Sequence, residues 1–227
     1  MTQLKPQYYE DLNRATWATA RLDEFLDELP NKVLSDIGSG WGNYRELVQD
    51  RGLKWHPYDY VRKIEESEIW DLDDPASKHF PKAGAVFLLE VLEHVPNPLR
   101  ALKHIADHMT DGGYLFISTP NPFFAKSKLT TLFRNELYAF QPKHLEEHHV
   151  FVPLPHVIEM YLRNLGFELQ EYAVVGSIGT PRLSPTISGF KNLIRHIAER
   201  LLSMTGNRSK GRTQLFLFRK TRLRKES

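Results

Sequence analysis

The stretch VLSDIGSGWGNYREL, residues 33–47, decides the fold. An apolar run ends at an acid, Asp36, and a helix-like pattern begins at Tyr44. Between them lie glycines at alternate positions, namely Gly38, Gly40 and Gly42. Glycine at this density is costly to order, so it marks a place where something comes close to the backbone. A buried strand, a glycine turn and a helix in this order are typical of α/β folds that bind a ligand at the helix start.

The composition describes an ordinary globular chain. Its 227 residues are enough for one large domain or two small ones, and a substantial core can form at this size. The hydrophobic fraction of 41% and the charged fraction of 26% are ordinary for a globular protein. The absence of cysteine excludes disulfides, thiolate metal sites and a cysteine nucleophile. The first residues contain no apolar segment of a signal peptide, and the longest apolar run, AVFLLEVL, is too short for a bilayer. We therefore predict a cytoplasmic protein.

Strand-like and helix-like segments alternate along most of the chain. Strands are predicted at 32–37, 55–60, 83–89, 114–119, 167–175 and 214–219. Helices are predicted at 7–29, 44–51, 98–109, 126–134, 154–165 and 187–204. A glycine turn is predicted at 111–113, before the fourth strand of this series. The alternation predicts an α/β protein with a mostly parallel, doubly wound sheet.

An acid at the end of the second strand, Asp59, follows Gly38 by 21 residues. A carboxylate at this place can accept hydrogen bonds from two vicinal ribose hydroxyls. With the glycine turn, it indicates a cofactor that carries adenosine. The alternative is a tight turn next to a surface acid. An NAD-dependent dehydrogenase is disfavoured because Asn43 stands where the dinucleotide fingerprint needs a small residue.

Several further segments occur in a recognisable order: YDYV, WDLDD, FLLEVLEHVPNPLRALKHIADHMTDGGYLFISTPNP and LRNLGFEL. With the glycine stretch, they resemble the class I S-adenosylmethionine-dependent methyltransferases over about residues 30–176. The nearest branch contains ubiquinone-biosynthesis O-methyltransferases and many sugar or polysaccharide methyltransferases. The resemblance implies a Rossmann-like methyltransferase fold, with a seven-stranded, mostly parallel sheet and an antiparallel last strand.

The domain organisation expected on this basis is a single methyltransferase domain over 1–227. Its parts are an N-terminal helix (1–30), a cofactor-binding core (31–176) with an acceptor-site insertion (121–150), a basic amphipathic helical insertion (177–212) and the last strand (213–220). The family often has Phe-Asp at the start of its fourth strand, where this chain has Gly84 and Ala85.

The resemblance also implies the cofactor, S-adenosyl-L-methionine, and its binding residues. Asp59 corresponds to the acid that binds the ribose, and Glu90 lies beside the sulfonium. Asp71 and Leu72 correspond to positions that contact adenine. The loop around the methionine part is formed by Asp36, Gly38, Gly40 and Gly42.

Methyl transfer to a hydroxyl is helped by a base with a pKa near neutrality. Two histidines, His94 and His144, are the candidates, with a purely structural role as the alternative for each. The segment HLEEHH, residues 144–149, raises the question of a metal site. We expect no metal, because three or four convergent ligands are not evident from one cluster.

The acceptor is indicated by composition alone. Residues 121–150 interleave aromatic side chains with cations, which suits a sugar ring, an aromatic ring or a phosphorylated substrate, although core packing explains part of the pattern. Residues 178–227 carry twelve Lys or Arg and two acids, a net charge of +10. The remaining residues sum to −8. We expect a small-molecule or glycan acceptor with a phosphate or lipid-phosphate group.

The helix predicted at 187–204 has two interpretations. It either packs on its own domain as a lid or makes peripheral contact with an anionic membrane surface. The rival functions are an RNA methyltransferase and a non-catalytic S-adenosylmethionine-binding module. Nucleic acid is disfavoured because LEHVPNP stands where amino methylases of nucleic acids show NPPY or DPPY. The sequence does not specify the oligomeric state.

Overall fold

The computed structural model describes residues 4–180 and 186–221. They contain one eight-stranded sheet with the strand order β1-β7-β8-β6-β5-β2-β3-β4. The strands are β1 (Gln7–Tyr9), β2 (Val33–Ile37), β3 (Lys54–Asp59), β4 (Glu68–Ile69), β5 (Ala83–Leu89), β6 (Met109–Pro120), β7 (Phe167–Val175) and β8 (Thr213–Lys220). The α-helices are α1 (Arg14–Phe25), α2 (Arg45–Gln49), α3 (Pro98–His108), α4 (Ala125–Arg134), α5 (Pro142–Leu145), α6 (Pro155–Asn164) and α7 (Ile187–Ser203).

The sheet is covered by helices on both faces, as the alternating pattern predicts. One core joins α1 and α2 to the sheet through residues such as Trp17, Val48 and Phe87. The other core joins α3 and α6 to the opposite face through residues such as Ile105 and Ile158. All seven residues of β5 are buried, which explains why this strand is a continuous apolar run. The doubly wound α/β prediction is therefore confirmed.

The last strand, β8, runs antiparallel to both of its neighbours, β6 and β7, as the resemblance implies. The other strands pair in parallel. The carboxyl ends of β2, β3, β5, β6 and β7 therefore lie at one edge of the sheet, which we call the ligand edge.

The predicted helix over 7–29 is wrong at its beginning, because residues 7–9 form β1 and pair in parallel with β7. The Tyr9 hydroxyl donates to Glu171 of β7 over 2.8 Å. Helix α1 starts only after Asn13, whose Oδ1 accepts hydrogen bonds from the amides of Ala15 and Thr16. With β1 and the two-residue β4, the sheet has eight strands rather than seven.

The start of β6 also differs from the prediction. The glycines predicted to form a turn at 111–113 lie inside the strand, which begins at Met109 with an irregular register against β5. A Cβ on Gly113 would lie 2.8 Å from the Gly84 carbonyl oxygen, and one on Gly84 would lie 2.3 Å from that of Asn31. This close approach of backbones accounts for glycine at position 84, where the related family has a phenylalanine.

The inserted helix α7 leaves the sheet after β7 and packs beside α4. Leu202 lies against a small buried cluster formed by Phe124, Ala125 and Ile178. The apolar residues Phe190, Ile194, Ile197 and Leu201 of α7 face outward, so the interpretation of this helix as a lid that packs its apolar stripe on the domain is wrong. Among the described residues, no helix combines the length and apolarity needed to cross a bilayer.

Candidate active site

The glycine loop lies at the ligand edge between β2 and α2. The amides of Gly38 and Ser39 both donate to the Tyr58 carbonyl oxygen at the end of β3, over 2.8 and 3.0 Å. Gly38, Gly40 and Gly42 all have left-handed backbone, with φ of 77°, 54° and 74°. A Cβ at position 38 would overlap the Val91 side chain, which follows β5, at 2.4 Å. The loop is thus wedged between the ends of β3 and β5.

Asp59, the last residue of β3, is tied to this loop. Its Oδ2 accepts a hydrogen bond from the Gly40 amide over 2.8 Å, and its Oδ1 accepts one from the Val61 amide over 3.2 Å. Each carboxylate oxygen keeps a further lone pair for a ligand. The structure therefore brings together the two features that indicate adenosine binding, and the ribose contact itself stays a prediction.

Asp36 is buried in β2, directly beneath the loop, with only 2% of its surface exposed. Its Oδ2 accepts a hydrogen bond from the Trp55 indole over 3.0 Å. Burial raises the pKa of this carboxyl to about 7, the indole bond opposes the shift, and the nearby Asp59 adds to it. A cationic ligand group at this place would favour the ionised form.

The two residues expected at the adenine, Asp71 and Leu72, follow β4, which pairs with the end of β3. The Asp71 carboxylate is exposed and accepts a local hydrogen bond from the Asp73 amide. The Leu72 side chain is 7% exposed and belongs to the core, while its carbonyl oxygen lies 3.0 Å from Nδ1 of His104. Of this pair, Asp71 presents its side chain to solvent and Leu72 does not.

Glu90 occupies a strained position at the end of β5. Its φ is 57°, in the left-handed region that a non-glycine residue rarely adopts. The conformation is held by Ser118 of β6, whose carbonyl oxygen accepts from the Glu90 amide and whose hydroxyl donates to Glu90 Oε1. Arg14 lies 3.8 Å from the other carboxylate oxygen. Maintained backbone strain is commonly found at functional sites, and here it occurs where the sulfonium is expected.

Glu93, three residues further along, is a buried acid that was not among the predicted site residues. Its Oε2 accepts from the Thr119 hydroxyl over 3.0 Å. Burial and then the charge of Glu90 raise its pKa. Its backbone carbonyl oxygen accepts from the amides of Val150 and Phe151, over 2.9 and 3.1 Å. Glu93 thus anchors the end of the HLEEHH segment against the strand edge.

The two histidines predicted as bases are joined by a third, His149. The His149 ring lies 4.7 Å from that of His94 and 5.6 Å from that of His144, measured between centroids. Burial and then the neighbouring His149 lower the pKa of His94, which favours its neutral form. Burial is also the main cause that lowers the pKa of His144.

The hydrogen bonds of these rings distinguish His149 from His144. Nδ1 of His149 lies 2.8 Å from the Ala139 carbonyl oxygen, which can only accept, so Nδ1 carries the proton. Nε2 is then the unprotonated nitrogen, and it lies 3.8 Å from a carboxylate oxygen of Glu147. Nδ1 of His144 accepts from the Gln141 amide, which leaves the proton on Nε2. In the neutral state, His149 can therefore take up a proton at Nε2, whereas the acceptor nitrogen of His144 is already engaged.

The structure brings together a group of possible metal ligands that is not confined to the segment HLEEHH. Within residues 4–180 and 186–221, potential donor atoms of Glu93, His94 and His149 lie within 4.8 Å of one another. Carboxylate and imidazole are donors that a divalent cation accepts. Of the segment HLEEHH, this group includes His149 and neither His144 nor His148.

Sequence reasoning missed Glu93 and His149 as members of the site. Both were visible in the quoted segments, Glu93 in LEHV and His149 in HLEEHH. What the sequence lacked was a sign that the two segments meet, which depends on the backbone bonds from Val150 and Phe151 to Glu93.

The described residues fit S-adenosylmethionine. This cofactor is cationic at its sulfonium and ammonium groups, and the ligand edge carries the carboxyl groups of Asp36, Asp59, Glu90 and Glu93. The glycine loop presents its backbone at this edge, and at Gly38 the neighbouring Val91 leaves no room for a side chain.

Comparison with known proteins also indicates an S-adenosylmethionine-dependent methyltransferase. A family model described as "Methyltransferase domain" matches residues 9–172. A ubiquinone biosynthesis O-methyltransferase of Xanthomonas axonopodis pv. citri is 29% identical over 74% of this chain and 73% of its own length. One from Hydrogenovibrio crunogenus is 26% identical over 66% and 69%. A crystal structure of an Archaeoglobus fulgidus SAM-dependent methyltransferase superposes with a TM-score of 0.58 at 16% identity, covering 92% of this chain and 95% of that one, which shows the fold.

Proposed function

Because this chain belongs to the methyltransferase-domain family and is an S-adenosylmethionine-dependent enzyme, we propose that it methylates a hydroxyl oxygen of a small organic acceptor. The observation that carries the proposal is the acceptor nitrogen of His149, oriented by Ala139 and placed beside His94. S-adenosylmethionine supplies an electrophilic methyl group. An oxygen nucleophile additionally requires that a proton be removed, and this arrangement provides a base for it.

His149 is the proposed base, in place of His144. Its Nδ1–H bond to the Ala139 carbonyl fixes the tautomer and the ring orientation. The segment is held in place by the bonds from Val150 and Phe151 to Glu93, so Nε2 keeps a defined position. His94 packs edge-on against this ring and, in its neutral form, adds no positive charge that would oppose proton uptake.

The carboxyl groups at the ligand edge have a different role in this proposal. Asp59 holds the glycine loop through Gly40 and offers its remaining lone pairs to the ribose hydroxyls. Glu90 presents a carboxylate at the strand end, where it compensates the positive charge of the cofactor. The protein thus aligns and desolvates the reactants, while His149 handles the proton.

The acceptor class that we propose is an aromatic compound with a free hydroxyl. The relatives are named for O-methylation in ubiquinone biosynthesis. The insertion 121–150 contributes exposed apolar side chains, Leu132 and Phe133, and a cation, Lys126, that lies 3.9 Å from the centre of the Tyr138 ring. A sugar or lipid-linked sugar hydroxyl is the alternative that the same pattern of aromatic and cationic residues allows.

The test is transfer of a radiolabelled methyl group from S-adenosylmethionine to a panel of catechols, other phenols, phosphorylated sugars and amines. We expect labelled phenolic ether products. His149→Gln should lower kcat by about 10²-fold or more, since a positioned base contributes roughly this factor. Cofactor affinity, measured by calorimetry, should not change. His156→Gln, an exposed histidine on α6, is the matched control and should behave like the wild type.

Two results would contradict the proposal. One is methylation of amines with no hydroxyl acceptor in the panel. The other is a His149→Gln variant with unchanged kcat and an unchanged pH profile. Loss of activity in chelator, with recovery on adding a divalent cation, would instead assign Glu93, His94 and His149 to a metal that activates the hydroxyl.

A further inference from the structure

Helix α7 is amphipathic, but its large apolar side chains face solvent instead of the protein. Two of its residues are buried, and they are Gly189 and Glu199. Six large apolar residues at intervals of three and four are between 50% and 80% exposed; we call them the α7 apolar face, and they are Ile187, Phe190, Ile194, Ile197, Leu201 and the adjoining Met204. On a helix of about 3.6 residues per turn, they span an arc of about 100°. Such a contiguous exposed patch marks an interaction surface.

Cations border this face on both sides. Lys191 and Arg195 lie along one border and Arg200 along the other, and all three are exposed. Between residues 177 and 212, the sequence contains one acid, Glu199, which is 7% exposed and lies 3.6 Å from Arg195. No exposed acid therefore interrupts the rim of the face on this helix.

The charges decide between two occupants. If a second copy of the chain covered the face, the Lys and Arg borders of the two helices would meet, and no exposed acid of α7 could pair with them. An anionic lipid surface has the opposite requirements, since it buries the apolar residues in its acyl region and attracts the bordering cations.

We propose that α7 docks this protein on an anionic lipid bilayer, lying in the plane of the interface with the α7 apolar face toward the acyl chains. The inner, polar face of the helix stays on the protein, where Glu199 is buried and Leu202 packs against Phe124. The net charge of +10 over residues 178–227 acts in the same direction. The proposal does not depend on the acceptor or on catalysis.

The experiment is co-sedimentation of the full chain with vesicles of phosphatidylcholine alone and with added phosphatidylglycerol. We expect binding to the anionic vesicles, weaker at high salt, and little binding to the neutral ones. Ile194→Asp should weaken binding by about tenfold or more, since it removes an apolar side chain from the acyl region and adds a negative charge. Lys191→Gln combined with Arg200→Gln should weaken it by about thirtyfold at low salt.

A matched control separates docking from general surface effects. Ile69→Asp, on β4 at the far edge of the sheet, changes a residue that is 60% exposed, against 52% for Ile194. Both variants should keep the thermal midpoint of the wild type, and only Ile194→Asp should lose vesicle binding. The proposal is overturned if the wild type stays in the supernatant with anionic vesicles, or if both variants lose binding equally. It is also overturned if sedimentation velocity shows a dimer that Ile194→Asp dissociates, since the face would then join two copies.

Discussion

Replacing Gly38 with alanine tests whether the glycine loop is shaped for the cofactor. At φ 77°, an alanine pays roughly 1–2 kcal/mol for left-handed backbone. Its Cβ would also lie 2.4 Å from Cγ2 of Val91. Relieving that overlap requires a shift of the Val91 side chain or of the strand end, which costs of order 1 kcal/mol more. We expect Gly38→Ala to lose about 2–3 kcal/mol of unfolding free energy.

The same shift should reach the cofactor. Val91 follows Glu90, whose strained backbone is held by Ser118 at the place where the sulfonium is expected. A movement of even a few tenths of an ångström there disturbs both the loop and the carboxylate. We therefore expect the affinity for S-adenosylmethionine to fall by at least about tenfold, that is by about 1.4 kcal/mol or more. Isothermal titration calorimetry measures the affinity, and urea unfolding measures the stability.

Gly52→Ala is the matched control. Gly52 has a similar φ of 70°, but a Cβ there meets nothing within 4 Å. This variant introduces the backbone strain without a steric overlap, so it should lose about 1–2 kcal/mol of stability and keep its cofactor affinity. Adding Val91→Ala to Gly38→Ala should recover part of the affinity, because the overlapping methyl group is gone. If Gly38→Ala binds the cofactor as tightly as Gly52→Ala, the reasoning that places the cofactor against this loop is wrong.

Three further outcomes are expected. Asp59→Ala should weaken S-adenosylmethionine binding by about 2–4 kcal/mol in the same calorimetric assay, since it removes two charge-assisted ribose bonds and frees the Gly40 amide; an unchanged affinity would exclude the ribose contact. Asp36 has a folded pKa raised to about 7, so the stability it contributes is present at low pH and is lost as the pH rises through about 7. Asp36→Asn should consequently be more stable than the wild type at pH 8 and gain little at pH 4, and equal gains at both pH values would contradict the shift. His108 is buried with its pKa lowered to about 4, so its contribution is present above about 6.5 and is lost as the pH falls toward 4; urea unfolding should show a loss of up to about 3 kcal/mol over this range that His108→Gln lacks.

The central fold could be predicted because its signals are local. The apolar run of β5 is buried on both faces, and the glycines after β2 do adopt left-handed backbone. Such features depend on a few neighbouring residues and on the periodicity of the chain. The edge strand β1 could not be found in this way, because its three residues are defined by pairing with β7, more than 150 positions away. Local propensity favoured extending α1 backward to include them.

The site shows the same limit. The sequence predicted His144 as a base alongside His94, yet the ring that meets His94 is that of His149. This depends on the long-range bonds to the Glu93 carbonyl, for which no sequence period exists. The amphipathic helix predicted at 187–204 is likewise present as α7. A helical period states which side chains share a face, but not whether that face meets the protein or its surroundings.

The net charge of +2 is the sum of +10 over residues 178–227 and −8 over the remaining residues. Three acids lie at the ligand edge, namely Asp36, Asp59 and Glu90. Burial makes ionisation of Asp36 costly. A cationic cofactor group bound next to Asp36 would offset that cost. Helix α7 is joined to residues 121–150 through the packing of Leu202 against Phe124. A protein docked through α7 would therefore hold residues 121–150 close to the lipid surface, which suits an acceptor that carries an apolar tail.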